Sequence, residues 1–278
     1  DAACAVRDDG SVWCWGSTSV GLGDGTHRVS TTPVQVSGID NAVGVAVGSE
    51  HACALLADHT VQCWGNAGWG GDDSYRLGGH ASSGTPVAVS GVTNAVSISA
   101  GRNHTCVVTT SGTITCWGDG GSAQLGVGDF SSGGPRAVTY CTPWCGTTLD
   151  RVVAVAAGGW HTCALRSDGT VLCWGVDTDG QGGYPGGFWL FTPYPVPGIT
   201  TAVSITAGEA HTCAELDDGT MQCWGRNGNQ QLGHVGDSTA TPTAVDNLSG
   251  AAVVTAGGDG TCAALADESL RCWGTSAR

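Results

Sequence analysis

The stretch HTCALRSDGTVLCWG at 161–175 carries two cysteines ten positions apart and a histidine two positions before the first. Cysteine and histidine at this range could ligate zinc, a cysteine pair could carry redox chemistry, or two sulfurs could cross-link the chain. The pair recurs six times with the same inner spacing: Cys4 and Cys14, Cys53 and Cys63, Cys106 and Cys116, Cys163 and Cys173, Cys213 and Cys223, and Cys262 and Cys272. The histidine does not recur so faithfully. His51, His104, His161 and His211 hold its place in the inner units, whereas Ala2 and Gly260 hold it in the outer ones, where the cysteines persist. There is also no Cys-x-x-Cys, the spacing of most zinc knuckles and redox sites. Six disulfides are therefore expected, with zinc or reduced buried thiols as the alternatives.

For two such cysteines to meet, the chain between them must turn back as a hairpin. In 163–173 a type I turn over Ser167-Asp168 followed by Gly169 at positive φ sets Arg166 against Thr170, and counting outward sets Cys163 opposite Cys173. Opposed residues on one sheet face have Cβ atoms roughly 4.5–5.5 Å apart, close to what a disulfide bridges. Gly10, Gly112 and Gly219 hold the positive-φ place in three further units, while His59 and Glu268 predict strained or rearranged turns. Cys141 and Cys145 flank a short loop and are expected to close on each other, which leaves none of the 14 cysteines over. Complete local pairing implies an oxidising compartment, so a secreted, extracellular or cell-surface location is expected. The sequence starts at Asp1 with no signal-peptide pattern, so any leader is expected to have been removed from it.

The paired motif lies at 4–16, 53–65, 106–118, 163–175, 213–225 and 262–274. Upstream runs an alternating segment ending in glycine, such as AVSISAG at 95–101, and downstream, after a Gly-rich loop, a Pro-led run such as PVAV at 86–89. Each unit thus offers up to four short strands in about 50 residues, the content of one propeller blade. The expected fold is all-β: a single β-propeller domain over 1–278 with about six blades of up to four antiparallel strands. A linear solenoid and a seven-bladed ring with missing parts are the competitors. Twenty-two strands can be counted, because the first unit lacks its leading run and the last its trailing one. The tryptophans of Cys-Trp-Gly (Trp15, Trp64, Trp117, Trp174, Trp224, Trp273) are expected to fill the space between blades. With 12% charged residues, ten Lys and Arg, and a net charge of -14, the chain lacks the cations that nucleic-acid binding draws on. No apolar run approaches the length of a membrane span.

The elements Gly-x-x-His-Thr-Cys-Ala-Leu, Asp-Gly-Thr-Val and Cys-Trp-Gly, followed by Gln-Leu-Gly in GSAQLG (121–126) and GNQQLG (228–233), resemble the regulator of chromosome condensation repeat family, bacterial members with the cysteine pair above all. The resemblance implies a propeller, usually of seven blades. It also implies binding through the propeller face, since the family includes a chromatin-bound exchange factor and secreted bacterial inhibitors of β-lactamases. Six motifs, an acidic balance and paired cysteines depart from the nuclear member.

The four histidines occupy equivalent places, where a metal or pH-sensing ring competes with a repeated blade-to-blade hydrogen bond. Asp177 and Asp179 resemble the opening of a calcium loop without its later ligands. Asn103-His-Thr and Asn247-Leu-Ser match the glycosylation acceptor pattern. No serine-nucleophile, metalloprotease or phosphate-loop motif occurs, so no catalytic residue, cofactor or metal is assigned. The segment GQGGYPGGFWLFTPYPVPG at 180–198 instead gathers Tyr184, Phe188, Trp189, Phe191 and Tyr194 in a loop, where such residues either cover a neighbouring blade or bind a partner. Trp69 and Trp144, in loop insertions of other units, are expected to join them on one rim. The function expected is non-catalytic binding of a protein partner, with a glycan as the lesser candidate. A structural subunit of an extracellular assembly, joined through the incomplete outer blades, and an enzyme with an axial site are the alternatives.

Overall fold

The computed structural model describes residues 2–17, 21–26, 28–66, 75–141 and 145–275, the side chains of Cys141, Cys145 and Ala252 excepted. All its regular elements are strands, and they form six blades. Blade 2 consists of Ala42–Val47, His51–Leu56, Val61–Gly65 and Ser83–Ala88. Blade 3 consists of Ala95–Ala100, His104–Thr109, Ile114–Gly118 and Gly133–Ala137. Blade 4 is built from Val152–Ala157, His161–Arg166, Val171–Val176 and Trp189–Pro195, and blade 5 from Ala202–Ala207, His211–Leu216, Met221–Gly225 and Thr239–Ala244. In each, the strands pair antiparallel in chain order from the axis outward. Among the described residues, blade 1 (Ala2–Val6, Val12–Gly16, Ser30–Gln35) has no inner strand and blade 6 (Ala251–Gly257, Gly260–Leu265, Leu270–Gly274) no outer one, as the segment count anticipates. A hairpin of Thr139–Cys141 and Cys145–Thr148, unanticipated as strands, lies between blades 3 and 4.

The hairpin register is the one read from the cysteine spacing. Cys14, Cys63, Cys116, Cys173, Cys223 and Cys272 lie directly across from Cys4, Cys53, Cys106, Cys163, Cys213 and Cys262, respectively. Each of these six pairs is joined as a disulfide, with Cα atoms 4.0–4.1 Å apart. Zinc and free thiols are thereby excluded for these twelve. Cys141 and Cys145 are backbone partners in the inserted hairpin, and their sulfurs lie outside the described residues. The two turns without glycine keep the same geometry instead of rearranging: His59 and Glu268 sit at φ +67° and +66°, beside +72° to +79° for the four glycines. A left-handed residue other than glycine costs about 1 kcal/mol. At His59 the ring offsets part of that by donating to the Ala95 carbonyl at 2.9 Å.

Each apolar core lies between two consecutive blades, and the tryptophan of one blade reaches into the core of the blade before it. Trp64, for example, packs with Val12, Leu22 and Val36 of blade 1. Trp64, Trp117, Trp174 and Trp224 are fully buried, whereas Trp15 and Trp273 in the outer blades are half-buried.

A buried polar relay crosses the same boundary. Between blades 3 and 4, the Gln124 carbonyl accepts from Trp174 Nε1–H at 2.8 Å and from the Thr162 hydroxyl at 2.9 Å, while His104 Nε2 lies 2.8 Å from that hydroxyl. Thr162 has one hydrogen and gives it to Gln124, so Nε2 must carry the proton that His104 shares with it. The same relay joins blades 4 and 5 through His161, Thr212, Gln181 and Trp224. It joins blades 5 and 6 through His211, Thr261, Gln231 and Trp273. Between blades 2 and 3, His51 meets Thr105 at 2.8 Å and Trp117 donates to the Arg76 carbonyl. Between blades 1 and 2, Ala2 and Ala52 stand where histidine and threonine would, and a small void remains beside Trp64.

Nδ1 of all four histidines is buried with no hydrogen-bond partner. It faces the glycine that ends its own inner strand. A Cβ on Gly101 would strike both the His104 ring and the carbonyl of Gly158 in the next blade, and Gly48, Gly158 and Gly208 are confined in the same way. The glycine closing the alternating run is thus required by close approach in the four blades that carry the histidine, whereas Gly257 of blade 6, which has none, is not confined. Burial pushes His51, His104 and His161 down to about 3 and His211 to about 4, so all four are neutral in the folded protein.

An unfolded histidine protonates near 6.5 and the folded one much lower, so the unfolded state binds more protons below that pH. Stability is therefore expected to fall as pH drops below about 6.5, by up to about 1.4 kcal/mol per pH unit for each histidine, in urea titrations at fixed ionic strength. Thr162→Val strands the His104 Nε2–H in an apolar boundary. It should lower the stability measured by urea titration by about 1–3 kcal/mol with an unchanged m-value.

Candidate functional site

The aromatic segment of blade 4 begins at Asp177, whose backbone N–H donates to the Phe188 carbonyl at 3.1 Å and closes the loop. The outer strand then starts at Trp189. It pairs Trp189 with Val176 and Leu190 with Gly175. Leu190 packs against the core between blades 3 and 4, and strand alternation turns Trp189 and Phe191 to the opposite face, toward solvent.

A ring that the sequence reading does not single out completes the group. Phe130, in the loop of blade 3, stands edge-on to Trp189 with centroids 5.8 Å apart and to Phe191 at 4.7 Å, while Phe188 lies 6.2 Å from Trp189. Gly128 N–H donates to the Phe191 carbonyl at 3.1 Å and ties that loop to the strand. Phe130, Phe188, Trp189 and Phe191 remain 40–68% exposed, so the rings cover one another's edges more than they cover a blade. Tyr184 and Tyr194 do not join them. They form a separate pair with centroids 4.7 Å apart, Tyr194 being half-buried. Trp69 and Trp144 lie outside the described residues. The signal for Phe130 is faint: a single phenylalanine in GDFSSGG, in the loop equivalent to the aromatic segment but one blade earlier.

The axis holds a cavity of about 360 Å³ bordered by Gly48, Ser49, Gly101, Arg102, Gly158, Gly208 and Glu209. Its charged groups neutralise each other: Arg102 reaches Glu209 at 2.8 Å, and its guanidinium lies over the Trp160 ring at 5.4 Å. The histidines face the neighbouring blade instead of the axis. Among the described residues, no three of His, Cys, Asp and Glu converge as metal ligands would. Asp179 is engaged with Arg226 at 3.1 Å.

Profiles of the regulator of chromosome condensation (RCC1) repeat match residues 9–55, 111–165 and 218–265 in one form and 42–73, 95–124, 152–181 and 202–231 in another. The chain is 31% identical to the ultraviolet-B receptor UVR8 of Arabidopsis thaliana over 184 residues, which are 64% of this chain and 40% of that protein. It is 27% identical to the human E3 ubiquitin-protein ligase HERC2 over 186 residues, 64% of this chain but 4% of HERC2. The chain therefore spans well under two thirds of these relatives. Among solved structures, yeast RCC1 (Prp20) bound to Kap60 superposes with a TM-score of 0.82 at 23% identity, covering 98% of this chain and 68% of Prp20. Human WBSCR16 gives 0.76 at 21% identity, covering 92% of this chain and 68% of that one. The six-bladed architecture, the paired motif in every unit and these matches agree: the chain belongs to the regulator of chromosome condensation (RCC1) repeat family.

Proposed function

We propose that this propeller is a non-catalytic scaffold that binds a protein partner through the aromatic rim of blades 3 and 4, in an oxidising extracellular or cell-surface setting. One observation carries the reading: four aromatic side chains from two consecutive blades are held together by ring contacts and a backbone hydrogen bond, yet stay exposed. Rigid aromatic groups of this kind supply most of the energy at protein interfaces. The edge-to-face arrangement favours protein over glycan, because a sugar ring stacks on an open flat face. Six disulfides support an oxidising address. The solved relative Prp20 is bound to Kap60 in one structure, and another concerns its binding to Gsp1p and histones, so protein binding has precedent on this fold. Few cations and a net charge of -14 disfavour nucleic acid.

A second reading, a subunit of an extracellular assembly, draws on the edges of Ala2–Val6 and Leu270–Gly274, which have no further strand beside them among the described residues. Sizing chromatography separates the two, a monomer supporting the scaffold and larger species the assembly.

Proteins captured by the wild type from its native extracellular medium should be lost, or bound at least about tenfold more weakly, with Trp189→Ala or Phe191→Ala. The melting temperature should stay within about 2 °C of wild type. Undiminished capture argues against the rim as the contact surface, and a large drop in melting temperature assigns the two rings to packing.

A further inference from the structure

Asp177 and Asn227 occupy the same place in blades 4 and 5, four residues after the second cysteine of each unit. Both are 2% exposed. In blade 5, Asn227 Oδ1 accepts from the Leu232 N–H at 3.1 Å, and Nδ2 donates to the carbonyls of His234 at 3.1 Å and Gly236 at 2.9 Å. The side chain thus holds both ends of its loop, one as an acceptor and one as a donor. In blade 4, Asp177 Oδ1 likewise accepts from the Gly182 N–H, at 2.6 Å. Its second oxygen, where Asn227 has an amide, is buried with no hydrogen-bond partner. Gly187 lies over it: a Cβ there would stand 3.1 Å from Oδ2 and 2.8 Å from the Tyr184 ring.

An ionised carboxylate can only accept, so it cannot reproduce what the amide does in blade 5; a neutral carboxyl has the donor that is needed. We propose that Asp177 is a protonation-controlled latch on the 177–188 loop: neutral, it holds Phe188 and the adjoining aromatic rim in place, and ionised, it draws in water and loosens the loop. The regulation of binding rests on the rim being a contact surface, whereas the latch itself does not. Among the described residues, the surrounding elements offer no cation to stabilise the ionised form. Asp179 in the same loop and Arg226 in blade 5 are paired with each other, and Tyr184 and Tyr194 meet edge to face. Burial accordingly raises the carboxyl to about 6, against the smaller opposing pull of the Gly182 and Tyr184 backbone N–H groups.

With the folded value above the unfolded one, the stabilising contribution is complete below the unfolded value and is lost as pH rises through about 6. This is opposite in sign to the four histidines, so the comparison must be between wild type and Asp177→Asn at each pH. The variant supplies the donor that Asn227 has. The two proteins should melt together near pH 4, and the variant should melt a few degrees higher at pH 8. Amide hydrogen exchange of 183–188, corrected for intrinsic rates, should quicken in the wild type as pH passes 6 and stay slow in the variant. Carboxyl ¹³C titration of the wild type, which needs no variant, should place Asp177 well above the ordinary aspartate range. A value near or below 4, a variant no more stable at pH 8, or equal loosening in both proteins would overturn the latch. So would a rise in wild-type melting temperature with added calcium that the variant lacks, since the site would then hold a cation. If the loop does loosen but capture of partner is the same at pH 5 and 7.5, the regulatory half is overturned and the rim, not the latch, is at fault.

Discussion

A neutral imidazole locked between blades is the contact on which this architecture turns. Each of the four histidines meets a threonine of the following blade, and at three of the four boundaries it gives that threonine its only ring proton while the threonine passes its own to a glutamine carbonyl already bound by the incoming tryptophan. None of these groups can be removed singly without leaving a buried donor or acceptor unmatched. The relay also dictates the glycine above it, because the ring and the next blade's carbonyl leave no room for a side chain.

Two kinds of staple therefore divide the work. Disulfides fix the register inside a blade by joining the two middle strands, and each closed loop should stabilise by roughly 2.5–3 kcal/mol. The polar relay and the tryptophan fix one blade against the next. With both in place, strands of Ala, Val, Ser and Thr suffice, and the outward loops are free to vary. Blade 1, with alanine at the histidine place and a void beside it, shows the boundary without the relay. The aromatic rim is one use of the freedom in the loops: blade 3 contributes a phenylalanine to a surface whose other rings come from blade 4.

Much of this is legible in the sequence because it follows from spacing within one unit. The cysteine register, the turn at Gly169, the three-stranded first and last blades and the six-fold count all depend on residues close together along the chain. Even the strain at His59 and Glu268 can be read from the absence of glycine. What cannot be read is the particular residue that a side chain meets in the next unit. The threonine partner of each histidine lies some 50 residues away, yet a threonine also adjoins that histidine at three of the four places, so the local text offers a misleading neighbour. Phe130 is missed for the same reason, since its companions belong to the following blade. Asp177 looks like the opening of a metal loop, and only the hydrogen bonds of its counterpart Asn227 reveal a carboxyl standing where an amide works.

Binding chemistry and stability meet at the blade boundaries, so the protonation state of the buried imidazoles is the quantity to observe. Long-range ¹H–¹⁵N correlation spectra of the histidine rings, followed from pH 8 to 5, measure it directly. His104, His161 and His211 fixed as the Nε2–H tautomer, and all four rings unmoved across that range, are what the relay requires. Rings that titrate near 6.5, or that carry their proton on Nδ1, would contradict it.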